Sequence, residues 1–248
     1  MDRQEYEVMA RVEYTLWWYV GMRKIADAWL HKLPTTPTPR TILDAGCGTG
    51  GNLTWLSGYG DPIGFDYSAL ACRHASRLPF PIAHVAIEAI PFADASFDIV
   101  TSFEVIDHKG VRDDIAALRE CLRVLKPGGQ LLLRLPAFKL LRGHHDARVH
   151  SVRRYTHNQL LVRLVAAGFV IQKSSYIHSF FFPMVLAQRM TERRSDEDAS
   201  AQSDLQLPSP FINRLGLTVL GIEARLLKIG VRLPIGVSLL CLAQRPMT

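Results

Sequence analysis

The run Thr41-Ile-Leu-Asp-Ala-Gly-Cys-Gly-Thr-Gly-Gly-Asn52 reads as a buried strand that ends in a tight turn. Ile42 and Leu43 supply the apolar strand, and Gly46, Gly48, Gly50 and Gly51 let the backbone turn with no Cβ in a ligand's way. Such a unit belongs in a Rossmann-like sheet, whose ligands sit beyond the carboxyl ends of the strands. Gly46, Gly48 and Gly51 also satisfy Gly-x-Gly-x-x-Gly, but a lone match to that dinucleotide fingerprint is weak. Asp44, two residues before the first glycine, would repel a pyrophosphate but hold a cationic amino group, and no basic residue lies near the turn. A cofactor with an ammonium group and no phosphate fits better.

A second short strand, Pro62-Ile-Gly-Phe-Asp66, ends in a carboxylate placed to accept hydrogen bonds from both hydroxyls of a ribose. Tyr67 follows it, with a ring able to lie against an adenine. Further strands are expected over Ile82 to Ile87, Phe97 to Phe103 and Gln130 to Leu135, with turns at Glu88-Ala-Ile-Pro-Phe92 and Leu125-Lys-Pro-Gly-Gly129. Strand patterns alternating with helical ones predict a parallel α/β sheet.

Taken together, Leu43-Asp-Ala-Gly-Cys-Gly-Thr-Gly50, Gly64-Phe-Asp66, Ile90 to Asp98, Phe103-Glu-Val-Ile-Asp-His108 and Val124-Leu-Lys-Pro-Gly-Gly129 resemble the class I S-adenosylmethionine-dependent methyltransferases of small-molecule type. The resemblance spans roughly residues 40 to 135. It implies a seven-stranded, mostly parallel sheet with helices on both faces, and S-adenosylmethionine as cofactor. It also implies roles: Asp44 and the backbone of Gly46, Cys47, Gly48 and Gly50 at the methionine part, Asp66 on the ribose, Ile87 and Glu88 at the adenine edge, and Phe103 near the sulfonium. The family often carries an aspartate two residues before Glu88, where this chain has Ala86. Adenine recognition is then left to a backbone carbonyl or to Glu88 itself, although an exposed turn glutamate needs no function.

Residues 1–39 are expected to be helical from 5 to 33, with Trp17, Trp18, Tyr19, Arg23 and Trp29. The resemblance makes this segment a lid over the cofactor, with Trp18 against it and Arg23 pairing with its carboxylate; the alternative is an aromatic stripe packed on the core. Residues 40–177 and 236–248 form the expected core, with a helix from Thr156 to Ala167, a sixth strand ending near Ser175 and an antiparallel seventh, Gly236 to Gln244, beside the fifth. Residues 178–235 are left as a helical cap insertion with a mobile linker near 192–208. It can cover a lipophilic substrate, dock on a membrane, pair with a second subunit to give a homodimer, or simply pack on the sheet.

The loop from Pro136 to Thr156 concentrates His144, His145, Asp146, His150, Arg153, Arg154 and Tyr155 at the sheet edge that faces a donor methyl. It resembles a His-Asp loop leading into Arg-Arg-Tyr-Thr in a subset of these enzymes, which carries a further histidine where this chain has Ser151. Methyl transfer is an in-line displacement, so the protein aligns a nucleophile and excludes water. For a hydroxyl nucleophile a histidine base contributes roughly 10²–10⁴-fold. His145 oriented by Asp146 is the leading base and His108 the second, each with a structural or capping role as alternative. Arg153 and Arg154, Tyr155, and Phe180 of the insertion are the candidate acceptor contacts; ion pairs that merely fix the loop are the other reading for the arginines.

Cys47, Cys72, Cys121 and Cys241 are widely spaced, form no metal-ligand pair and suit a reduced, cytoplasmic protein, possessing no secretory signal at Met1-Asp-Arg-Gln-Glu-Tyr6. No metal is expected. The formal charge of +6 is modest and compatible with a solvated face, an acidic substrate, an anionic membrane surface or RNA. Thr101-Ser-Phe-Glu104 stands where nitrogen methyltransferases of the Asn-Pro-Pro-Tyr kind carry that motif, which disfavours exocyclic or amide nitrogen as acceptor. The expected activity is O-methylation of a hydrophobic small molecule such as a phenol, a quinone precursor or a fatty carboxylate. RNA methylation and a non-catalytic cofactor-binding scaffold are the alternatives.

Overall fold

The computed structural model describes residues 3–31, 33, 38–192 and 208–247. The strands are β1 (Arg40–Ala45), β2 (Gly60–Asp66), β3 (Ile82–His84), β4 (Phe97–Phe103), β5 (Leu125–Pro136), β6 (Val170–Ile177) and β7 (Ser238–Gln244). They form one seven-stranded sheet in the order β3-β2-β1-β4-β5-β7-β6. The first five run parallel, while β7 pairs antiparallel with both β5 and β6. The expected α/β class and the place of the last strand beside the fifth are both present.

The helices are α1 (Arg3–Val12), α2 (Trp17–Leu30), α3 (Gly51–Leu56), α4 (Ala69–Ala75), α5 (Asp114–Val124), α6 (His144–Arg148), α7 (His157–Ala167), α8 (Phe182–Glu192) and α9 (Pro210–Lys228). Thr156 caps α7 by accepting from the Gln159 N–H while the Gln159 side chain accepts from the Thr156 N–H, so the start read from sequence coincides with a capping box. One face of the sheet buries Leu43, Val100, Leu131 and Leu133 against α5 and α7 through Leu118, Leu160 and Leu164. The other buries Ile42, Leu132, Leu240 and Leu242 against α2 and α9 through Ile25, Trp29, Leu220 and Leu227.

Three boundaries differ from expectation. β3 stops at His84, because the chain turns back through Ala86 to Ala89, where the Ala89 N–H donates to the Ala86 carbonyl. β5 starts at Leu125 rather than Gln130: the Lys-Pro-Gly-Gly stretch is an irregularity inside the strand, with Gly128 at φ +77° and its N–H donated to Arg245 O. The N-terminal helical region is broken between Val12 and Trp17, and Glu13 turns inward at the break.

The stretch 178–235 divides in role. α9 is a full member of the helical layer on α2, whereas α8 stands at the sheet edge. The mobile linker expected near 192–208 lies almost wholly outside the described residues. α2 and α9 approach closely at small residues; a Cβ on Gly216 would come within 2.5 Å of the Trp17 ring, while one on Gly221 meets nothing within 4 Å. Gly216→Ala should therefore lower stability by about 1–3 kcal/mol through overpacking. Gly221→Ala on the same helix should raise it by about 0.5–1 kcal/mol through helix propensity. Urea midpoints moving in opposite directions at unchanged slope are the expected result.

Candidate active site

The site begins at the C-terminal end of β1, where Gly46, Gly48 and Gly50 adopt φ values of +87°, +56° and +95°. The amides of Gly46 and Cys47 both donate to Phe65 O, at 2.9 and 2.8 Å. Asp66 at the end of β2 accepts from Gly48 N (2.9 Å) through one oxygen and from Ser68 N (2.8 Å) through the other. The turn is thereby fixed by the neighbouring strand, and each Asp66 oxygen retains a lone pair for a ligand.

A single cavity of about 870 Å³ lies over this edge of the sheet. Gly46, Cys47, Gly48, Asp66, Tyr67, Ile87, Glu88, Phe103, Trp18 and Arg23 all line it, as do His108, His145, Asp146 and Arg154. Gly50 and Asp44 stand outside the lining. Asp44 is buried behind the turn, accepts from Thr101 Oγ1 at 2.7 Å, and leaves its Oδ2 without a partner among the described residues. Burial pushes its pKa up to about 7.

Other side chains depart from the roles expected of them. Glu88 accepts from the backbone N–H groups of Arg112 and Asp113 through one oxygen, each at 2.9 Å, so it also caps the loop before α5. Asp146 is bound to Arg154 by a two-pronged contact of 2.7 and 3.1 Å and accepts from Gly143 N, so its carboxylate fixes Arg154 and the entry to α6. Arg154 reaches Ala137 O as well. Arg153, Tyr155 and Phe180 do not line the cavity. Arg153 donates to the carbonyls of Ile106, His108 and Arg112, the Tyr155 hydroxyl donates to Asp114, and Phe180 points to solvent while Phe181 takes the wall. Charge and aromaticity marked this loop correctly as polar, but the sharp turns before and after α6 decide which side chains face inward.

His108 is half-buried, and its Nδ1 accepts from Gly110 N at 3.0 Å. A neutral ring held this way carries its proton on Nε2 and so presents a donor there. Burial, reinforced by positive neighbours, pulls its pKa down to about 4. Those two facts make His108 a poor base at neutral pH.

Sequence reasoning missed Glu13 and Asp107. The break between α1 and α2 buries Glu13 against the glycine turn, where its carboxylate accepts from Thr49 Oγ1 at 2.8 Å and its carbonyl accepts from Arg23. Nothing in the local sequence distinguishes Glu13 from a solvated glutamate. Asp107 lines the cavity beside Ser151, with Oδ1 unpartnered among the described residues and its pKa pushed up to about 7 by burial. It stands within the Phe103 to His108 segment, where it shares a short stretch with Glu104 and His108 and nothing local singles it out. Cys47 is no nucleophile, because burial drives its thiol pKa upward.

Residues 43–133 match the protein family described as "Methyltransferase domain". The chain is similar to a Mycolicibacterium smegmatis protein named as a probable S-adenosylmethionine-dependent methyltransferase, with 37% identity over 101 residues that cover 39% of this chain and 38% of that protein. It is similar also to the malonyl-[acyl-carrier protein] O-methyltransferase of Enterobacter lignolyticus, 38% identical over 44% of this chain and 43% of the relative. The matched stretch thus spans less than half the length of these relatives. Among solved structures, the chain assigned as a methyltransferase in a Haloferax volcanii complex with the Trm112 methyltransferase activator superimposes at a TM-score of 0.62, with 19% identity and 98% of each chain covered. Residues 43–133 of this protein therefore form a methyltransferase domain, set in the seven-stranded sheet described above.

The orphaned Asp44 oxygen generates a test. Without a ligand the carboxyl holds a proton below about pH 7, and a cofactor ammonium bound at the turn in front of it would expel that proton. Affinity for S-adenosylmethionine should rise with pH by up to about tenfold per unit until pH passes 7, then level off. Calorimetry in buffers of differing ionisation enthalpy should record proton release on the acid side, and Asp44→Asn should abolish it.

Proposed function

We propose that the protein transfers the methyl group of S-adenosylmethionine to an oxygen nucleophile of a hydrophobic small molecule. The observation that carries this reading is the continuity of one cavity from the glycine turn and Asp66 to an apolar wall of Trp17, Phe181, Met184, Val185 and Val237. Its volume of about 870 Å³ is near the upper end of the roughly 300–1,000 Å³ usual for small-molecule sites, which suits a cofactor and a second molecule together. The O-methyltransferase name of the Enterobacter relative supports oxygen as the accepting atom.

The cofactor would supply an activated methyl on a sulfonium. Asp66 fits its ribose, the Asp44 carboxyl behind the turn would supply a counter-charge to its ammonium without touching it, and Tyr67, Ile87 and Glu88 fit its adenine end. α2 would close over it through Trp18, whose ring lies 4.3 Å from that of the buried His178. The acceptor would occupy the apolar wall with its hydroxyl turned toward Phe103. The methyl would pass from that sulfonium, leaving a neutral thioether, to the acceptor oxygen, and the hydroxyl proton would pass to a base of this chain.

Asp107 is the group best suited to take that proton, being at the cavity wall, unpartnered at Oδ1 and poised near neutrality. His145 lines the same cavity and is the second choice. His108, donating through Nε2, would orient the acceptor oxygen.

The decisive experiment titrates the purified protein with S-adenosylmethionine, S-adenosylhomocysteine and NAD, with Asp66→Ala as control. Micromolar binding of the first two, lost in the variant and missing for NAD, is expected; binding of NAD alone, or of none, would overturn the reading. Screening phenols, quinols and fatty acids then follows. With an acceptor found, kcat/KM should climb with pH to a plateau above about 7, since the base must be deprotonated. Asp107→Asn should remove that limb and cost roughly 10²–10⁴-fold, while His108→Ala leaves the limb in place. A limb that survives Asp107→Asn but vanishes in His145→Ala assigns the base to His145 instead.

A further inference from the structure

α9 is apolar on two sides. Its inner side, Leu220, Ala224 and Leu227, is buried in the core. On its outer side stand Phe211, Leu215 and Ile222, joined just past the helix end by Ile229, with relative exposures of 76%, 54%, 45% and 76%. Their spacing places all four along one stripe of the helix. Ile212 and, farther along the chain, Val231 and Ile235 extend this exposed apolar surface. A helix apolar on both sides ordinarily has both covered.

The charges bordering the stripe identify what covers it. Arg214, Arg225 and Lys228 of α9 are exposed, and Arg232 follows. The helix's one acidic residue, Glu223, is fully buried and accepts from the backbone N–H groups of His178 and Ser179. Among the described residues the outer face of α9 is therefore apolar with cationic neighbours only. A second copy of the chain meeting this face about a two-fold axis would bring the arginines of both copies together, which disfavours self-association. No helix among the described residues is long and apolar enough to cross a membrane.

We propose that the outer face of α9 docks on an anionic membrane surface, with the helix lying in the plane of the interface. Its apolar side chains enter the headgroup boundary while Arg214 and Arg225 meet lipid phosphates. The docked face is next to the cavity: Pro208 lines it, and Asn213 accepts from the backbone N–H of Trp17, another of its walls. On the reading above, a lipophilic acceptor would then enter from the bilayer.

The test is co-sedimentation of the full chain with vesicles of phosphatidylcholine alone or of equimolar phosphatidylcholine and phosphatidylglycerol. Binding to the mixed vesicles, weakened by salt and nearly lost with phosphatidylcholine alone, is expected. Arg214→Gln and Arg225→Gln should each lower the partition coefficient about fivefold. Phe211→Ser with Ile222→Ser should lower it by at least about tenfold. These side chains are exposed, so unchanged affinity for S-adenosylmethionine confirms that the variants fold. Failure to sediment with either vesicle overturns the proposal, as does a dimer in sedimentation equilibrium that Phe211→Ser dissociates. The assay contains neither cofactor nor acceptor, so a negative result leaves the methyl-transfer reading standing.

Discussion

Three backbone N–H groups of the glycine turn are held by the end of the adjacent strand: two converge on Phe65 O and the third on the Asp66 carboxylate. This arrangement depends on the parallel register of β1 and β2, which sets Ala45 beside Phe65 and Asp44 beside Gly64. A shift of one residue would turn Asp66 to the other face of the sheet and leave the turn's donors unmet. Asp66 consequently has two duties, fixing the turn and facing the cavity. Placing both on one short, rigid carboxylate is how a loop rich in positive-φ glycines becomes a well-defined binding surface.

The same sheet edge gathers buried carboxyl groups, two of which lack a full complement of partners among the described residues. Asp44 and Asp107 are both pushed up to about 7 by burial, and Glu13 is raised in the same direction despite its bond to Thr49. Desolvated carboxylates of this kind cost stability, and a fold persists with them when its many fully buried apolar contacts offset that cost. Arg134 compensates part of the charge: it lies 3.3 Å from Glu104 and 4.8 Å from the centre of the Phe103 ring. Such an edge has its acceptors fixed in advance, and protonation is the alternative to pairing with a cation.

The core was legible because its signals are local. Apolar runs ending in glycine or carboxylate marked β1, β2 and β4, and Thr156 followed by Gln159 marked the start of α7. The acceptor loop was legible only in composition. Which of Asp146, Arg153, Arg154 and Tyr155 faces inward is set by one turn of helix between two sharp bends, and periodicity cannot resolve so short an element. Glu13 was invisible for a different reason. Its burial arises from a helix break that lays α1 against α4 and the glycine turn, and the residues that receive it, Thr49 and Gly51, are far along the chain. The 178–235 stretch left several partners open because an amphipathic pattern does not reveal which one its apolar side selects; α9 packs on α2 and the sheet, the plainest of the readings its sequence allows.

That choice ties the N-terminal helices to the rest of the molecule. Asn213 at the start of α9 accepts from Trp17 N and donates to Thr15 O, so the break between α1 and α2 is secured by the insertion. Farther along α9, Glu223 accepts from the N–H groups of His178 and Ser179, which holds the end of β6 in the positive-φ turn at His178. The fully buried His178 ring then supports Trp18 on the cavity wall, and burial keeps it neutral by pulling its pKa down to about 3. A neutral ring there serves as a fixed apolar prop that physiological pH does not disturb. The lid, the insertion and the sheet edge are accordingly joined through one helix, and any force that shifts α9 acts on Trp17 and Trp18 together. The cavity wall at Trp17 and Trp18 thus rests on the inner side of α9, through side chains that have no role in the chemistry.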